Sequence, residues 1–123
     1  MARKIPRIFV VDDNDPVRWA IRLLSRSFGW QCEEFASAID CLHALRHGAP
    51  DCLLLELDMP GMSGADLIEA LRSENNPLPV IAMSGDPGSP LAVRARACGV
   101  VTMLAKPFGA EELESAVVGA LPD

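Results

Sequence analysis

Four short runs of apolar residues punctuate the chain: Ile8-Phe9-Val10-Val11, Cys52-Leu53-Leu54-Leu55, Pro79-Val80-Ile81-Ala82-Met83 and Val100-Val101-Thr102-Met103-Leu104. Each is continuous rather than alternating, the pattern of a strand buried on both faces of a parallel sheet. A fifth segment, Gln31 to Phe35, alternates and suits an edge strand. Between the runs the apolar positions switch to helical spacing. Val17, Ile21, Leu24 and Phe28 fall on one face, with Gly29 as the stop. Ile39, Leu42 and Leu45 carry a second helix, followed by Gly48 and Pro50. Leu67 and Leu71 carry a third, begun by Ser63 with Asp66 three residues on, a loose capping box. Leu91, Ala95 and Cys98 give a fourth, entered through the loop Asp86-Pro87-Gly88-Ser89-Pro90 and ended by Gly99. Leu113, Val117 and Leu121 give a fifth, with Glu111, Glu112 and Glu114 near its positive end.

Five alternating strand and helix units predict a doubly wound α/β domain with right-handed crossovers. The 123 residues match one domain, 1–123 with its core at about 7–121, and leave no room for an output domain in this chain. No repeat, linker or low-complexity tract breaks it. Half the residues are apolar, so a sizeable core is available. The net charge of -6 argues against nucleic acid as a direct partner, because phosphate backbones are bound by clustered Lys and Arg. Every apolar run is too short to cross a bilayer, and the basic N-terminus lacks the apolar stretch of a signal peptide. Cys32, Cys41, Cys52 and Cys98 form no C-x-x-C pair and no zinc spacing. They read as small core residues of a cytoplasmic protein.

In an open parallel sheet, ligands bind beyond the carboxyl ends of the strands. Asp12 and Asp13 follow the first run, Glu56 and Asp58 the Cys52–Leu55 run, Ser84 the Pro79–Met83 run, and Lys106 the last. Several carboxylates converging there would repel one another unless a cation joined them, and hard carboxylate oxygens suit Mg2+. A lysine and a serine hydroxyl opposite would complete a place for a phosphoryl-sized anion. The residues by themselves therefore indicate a crevice that handles a divalent metal and phosphate.

In order along the chain, Phe9-Val10-Val11-Asp12-Asp13-Asn14, Leu57-Asp58-Met59-Pro60-Gly61-Met62-Ser63-Gly64, Ile81-Ala82-Met83-Ser84-Gly85 and Lys106-Pro107-Phe108 resemble the response-regulator receiver domains of two-component signalling. The resemblance runs from about Ile8 to Leu121. It implies a flavodoxin-like, five-stranded parallel sheet of order 2-1-3-4-5 with five helices. It implies Mg2+ held by Asp13, by Asp12 directly or through water, by the acceptor carboxylate at Glu56 and by the backbone carbonyl of Asp58. Ser84 is then the hydroxyl that moves toward a phosphoryl group, and Lys106 pairs with the acids. The implied partners are a histidine kinase or phosphotransfer protein and a downstream protein, with homodimerisation through the fourth helix, fifth strand and fifth helix.

Two positions depart from the family pattern. Glu56 stands three residues before Met59, where the phosphate-accepting aspartate is expected, and Met103 stands where an aromatic switch residue is usual. Glu56 carries its carboxylate one methylene further out, and a displacement of about 1 Å can cost roughly a hundredfold in rate. The same reach lets it hold Lys106 or Ser84 directly. Three readings follow: a receiver with little or no phosphorylation whose conformation is fixed or set by a partner, an ordinary Mg-dependent switch phosphorylated slowly at Glu56, or a glutamate that merely salt-bridges Lys106 while regulation has been lost. A small flavodoxin-like binder or enzyme is the alternative from another class. It lacks a Ser/Thr/Gly-rich loop after the first strand, a P-loop, and a nucleophile with a nearby histidine. His43 and His47 read as surface residues, Met59 and Met62 as core beneath their loop, Met103 as packing, Trp19 and Trp30 as partial core or interface, and Arg94 and Arg96 as a solvated or partner-facing surface.

Overall fold

A computed structural model describes residues 5–121. Strands β1 (Arg7–Val11), β2 (Gln31–Phe35), β3 (Cys52–Glu56), β4 (Val80–Ser84) and β5 (Thr102–Ala105) alternate with helices α1 (Asp15–Ser27), α2 (Ala38–Leu45), α3 (Gly64–Ser73), α4 (Pro90–Ala97) and α5 (Ala110–Ala120). The strands form one parallel sheet in the order β2-β1-β3-β4-β5.

Alternate strand residues feed two cores. Phe9, Val11, Leu53, Leu55, Val80 and Ala82 pack with buried positions of α2, α3 and α4. Ile8, Val10, Leu54, Ile81 and Met83 pack on the other face with Ile21 of α1 and with Leu113 and Val117 of α5. The central strands β3 and β4 are buried at every position, which is why their sequences are unbroken apolar runs. At the edge, β2 exposes alternate residues, as its pattern predicts.

The helix ends follow the local chemistry. Asn14 caps α1, Ser37 α2 and Ser89 α4, each through its side-chain oxygen, and Pro16 and Pro90 occupy first-turn positions. Ser63 and Asp66 form a reciprocal capping box on α3. Two expectations shift. In α2 the inward stripe runs through Ala38 and Cys41, leaving Ile39 half exposed, because the short helix packs its small residues against the sheet. The fifth strand starts at Thr102, since Gly99 turns the chain at a φ of 74° and Val101 is still exposed.

Candidate functional site

The carboxyl ends of β1, β3, β4 and β5 are neighbours, so the residues there meet. Register pairs Val11 with Leu55, Glu56 with Met83, and Ser84 with Ala105. Asp12 therefore stands beside Glu56, and Lys106 follows the strand next to Ser84. Glu56 and Ser84 are the last residues of their strands rather than the first of the loops. Their backbones are thus held by the sheet, and only the side chains are free to choose partners.

Lys106 is that choice. Its Nζ donates to Asp12 Oδ2 at 2.6 Å and to Glu56 Oε1 at 2.5 Å. The remaining oxygens are also engaged. Asp12 Oδ1 accepts the Asn14 N–H at 2.9 Å, and Glu56 Oε2 accepts the Asp58 N–H at 3.2 Å. The Asp12 side chain is 1% exposed and that of Glu56 9%, so the bridge is largely withdrawn from water. Burial alone would pull the Lys106 ammonium down, but hydrogen bonds and charge from Asp12 and Glu56 outweigh it and raise its pKa. The lysine stays charged.

Ser84 does not join the bridge. Its Oγ accepts the Asp86 N–H at 3.0 Å, closing a turn at the mouth of the crevice. Glu56, Asp58, Ser84, Asp86, Ser89, Leu91 and Lys106 line a cavity of about 360 Å³, large enough for a phosphoryl-sized group. Asp13 and Asp58 expose their side chains. The expected convergence of three or four carboxylates is thus reduced to two, Asp12 and Glu56, joined by an ammonium. Among the described residues, no group of three His, Cys, Asp or Glu side chains is placed to hold a metal ion. Each of the four oxygens of Asp12 and Glu56 already accepts a hydrogen bond, so a magnesium ion would have to compete with these donors, the Lys106 ammonium above all.

The loop after β3 has one geometric requirement. A Cβ on Gly64 would collide with the carbonyl oxygen of Glu56 and lie 2.8 Å from Leu57 Cα. Only glycine lets the start of α3 press against the backbone that carries Glu56. Gly64 N–H also donates to Leu57 O at 2.9 Å.

Met103 packs against the core on the α2–α4 side of the sheet, as ordinary filling. Met59 and Met62 pack there too. Asp12 and Asp13 do not cap α1, a task that falls to Asn14. His43 and His47 are exposed and remote from the crevice. Trp30 is partly buried and stacks at 4.7 Å on Phe28, whereas Trp19 is 57% exposed and contributes little to the core.

Three arginines make contacts that tie segments of the fold together. Arg94 of α4 bonds Asp66 at 2.7 Å and Glu69 at 2.6 and 3.0 Å, tying α4 to α3. On a face expected to be solvated or partner-facing, it remains partly exposed but is paired with the two acids that face it across the helix pair. Both carboxyls are held below their usual values, chiefly by the hydrogen bond from Arg94. Arg96 turns to the carbonyl of Pro87. Arg18, on α1, donates to the backbone carbonyl of Asp12 at 2.5 Å and pairs with Asp15 and Glu34. It anchors the acidic loop from beneath. The pairs of Arg94 with α3 and of Arg18 with Glu34 join different elements, so spacing does not announce them, whereas Arg18 and Asp15 stand three residues apart on α1.

A five-stranded sheet of this order, with an acid, a serine and a lysine at adjacent strand ends, defines a receiver domain. The family model described as the response regulator receiver domain matches residues 8–118, and the chain belongs to that family. It is 37% identical over 121 residues to the response regulator protein TodT of Pseudomonas putida, covering 98% of this chain and 53% of TodT. It is 37% identical over 113 residues to nodulation protein W of Bradyrhizobium diazoefficiens, covering 92% of this chain and 50% of that protein. The chain thus spans about half the length of these curated relatives. Among solved structures, FixJ-N superposes with a TM-score of 0.88 at 28% identity, covering 96% of this chain and 94% of that one. The response regulator StyR superposes with a TM-score of 0.82 at 36% identity, covering 96% and 60%.

Proposed function

We propose that this domain is an atypical receiver, in which Glu56 stands in for the phosphorylated acceptor or prevents its formation, and whose signal is a conformation read by another protein. The supporting observation is the Lys106 bridge to Glu56 and Asp12. Phosphoryl transfer needs an acceptor oxygen in line with the donor. Here both oxygens of Glu56 are committed, one to an ammonium and one to the Asp58 amide. The extra methylene carries the carboxylate to Lys106, the contact a phosphoryl group would otherwise make. The imitation is partial, because Ser84 keeps its turn with Asp86 and is not drawn to Glu56.

Receiver domains are signalling switches that generally bind Mg2+ at the phosphorylation site and interact with histidine kinases and downstream effectors. In this chain Asp12, Asp13, Glu56 and the Asp58 carbonyl are the residues that correspond to the metal set, and competition from Lys106 for Asp12 and Glu56 makes Mg2+ a weak ligand. The partners are a histidine kinase or phosphotransfer protein, a downstream protein, or both, and a second copy through α4, β5 and α5. The domain itself makes no direct contact with nucleic acid and performs no enzymatic turnover, and its place is the cytoplasm. None of the described helices is long and apolar enough to cross a membrane.

The test is incubation with Mg2+ and a small phosphodonor, followed by intact mass, with Glu56→Asp in parallel. The native chain is expected to gain no phosphoryl adduct, and the variant to gain one. An acid-stable, base-labile adduct mapped to Glu56 overturns the reading and restores an ordinary phosphorylation switch.

A further inference from the structure

We infer that Lys106 serves as the resident cation of the acidic crevice, and that Glu56, by its longer reach, keeps the lysine there and so closes the site to Mg2+. This rests on the reading of Glu56 as a fixed partner of Lys106.

Two buried carboxylates side by side require a counter-charge. A divalent ion supplies it by accepting several oxygen ligands, and an ammonium already seated on the same oxygens competes with it. Each oxygen of Asp12 and Glu56 already accepts one hydrogen bond, from Lys106, the Asn14 amide or the Asp58 amide, and the ammonium is shared between the two acids. The backbone around the bridge is also fixed. Glu56 and Ser84 are sheet-bound, the Lys106 N–H is held by Ser84 O at 2.8 Å, and Gly64 presses α3 against the Glu56 carbonyl. Arg18 donates to the Asp12 carbonyl and so holds the backbone of that acid in place. An entering Mg2+ would therefore have to displace the ammonium, and would then meet its repulsion at short range. A like charge about 4 Å away is enough for at least a tenfold change in affinity. Asp13, exposed and outside the bridge, gives a cation one carboxylate but no enclosing set.

The experiment is a titration with MgCl2 alone at constant ionic strength, read by backbone amide shifts and by the thermal midpoint, which rises with RT ln(1 + [Mg2+]/Kd). The native chain, Lys106→Met and Glu56→Asp are compared. The native chain is expected to show no saturable response up to about 10 mM, and both variants to bind at least about tenfold more tightly. Glu56→Asp keeps every charge while shortening the arm that holds Lys106, so it remains informative should Lys106→Met prove too unstable to titrate. Saturation of the native chain below about 1 mM overturns the inference. So does a Glu56→Asp chain that binds no better than the native one. No phosphodonor is present here, so failure of this inference is read from Mg2+ alone and failure of the functional reading from the phosphoryl adduct in the separate mass assay.

Discussion

Replacing Lys106 by methionine would leave Asp12 and Glu56 facing each other with two acceptor oxygens unsatisfied and no counter-ion. The stem packs much as before, so the loss is electrostatic. Breaking a buried ion pair by removing one partner costs about 3–5 kcal/mol, because an uncompensated charge stays behind. The bridge lies towards the upper part of that range in one respect, since two carboxylates share the ammonium. It lies lower in another, since Lys106 keeps 21% of its side chain exposed and water can enter. A destabilisation of about 3 kcal/mol balances the two. In a Glu56→Gln background only Asp12 is left uncompensated, and the amide can donate to it. There the same Lys106→Met change should cost about 1–1.5 kcal/mol, the ordinary worth of a hydrogen bond. The coupling between the two positions is then about 1.5–2 kcal/mol, well above the few tenths expected of independent sites. Urea unfolding of the four chains, followed by far-ultraviolet circular dichroism, measures it, given two-state behaviour at this size. Additivity within about 0.5 kcal/mol would refute the claim that Glu56 and Lys106 form one energetic unit.

The other predictions concern the supports of that unit. Gly64→Ala should destabilise the domain by about 1–3 kcal/mol, because the new methyl meets backbone rather than a side chain that can swing away, and urea midpoints check it. A change of under about 0.5 kcal/mol would show that α3 does not need that close approach. The raised pKa of Lys106 means the folded state holds its proton more tightly than the unfolded chain does. Its stabilisation is complete below the ordinary lysine value of about 10.4 and is lost as pH climbs through the raised one, so the alkaline limb of a stability profile should flatten in Lys106→Met. Asp66 and Glu69 behave oppositely: with lowered pKa values, their stabilisation is present above the ordinary carboxylate range and fades as pH falls through it. Arg94→Ala should shrink that acid limb and increase amide exchange along α4, and an unchanged profile would contradict the clamp.

The fold was legible because its signals are local and repeated. Buried strands such as β3 are unbroken apolar runs from Cys52 to Leu55, and Ser63 stands where the third helix begins. Asp12, Glu56, Ser84 and Lys106 were legible as a site because parallel strands deliver their carboxyl ends to one edge of the sheet. Their partners were not. Whether Glu56 would take Lys106 or Ser84 depends on reach and angle across three strands, which sequence spacing does not encode. The same holds for Arg94, whose acids lie on a different helix, and for Arg18 beneath the Asp12 carbonyl. Composition suggested that carboxylates would crowd together, whereas exposure of Asp13 and Asp58 and an intervening ammonium keep the buried set to two. In α2 the stripe moved to Ala38 and Cys41, since helical spacing alone does not say which of two adjacent stripes meets the sheet.

The central claim is that the conformation of the crevice is set by Glu56 and Lys106 and not by a phosphodonor. Amide spectra of the native chain, recorded before and after addition of Mg2+ and a small phosphodonor, test it most directly. The account predicts unchanged resonances for Glu56, Ser84 and Lys106 in the native chain, and shifts at those positions in Glu56→Asp that decay as the donor is spent. Donor-dependent, reversible shifts at Glu56, Ser84 and Lys106 of the native chain would contradict it.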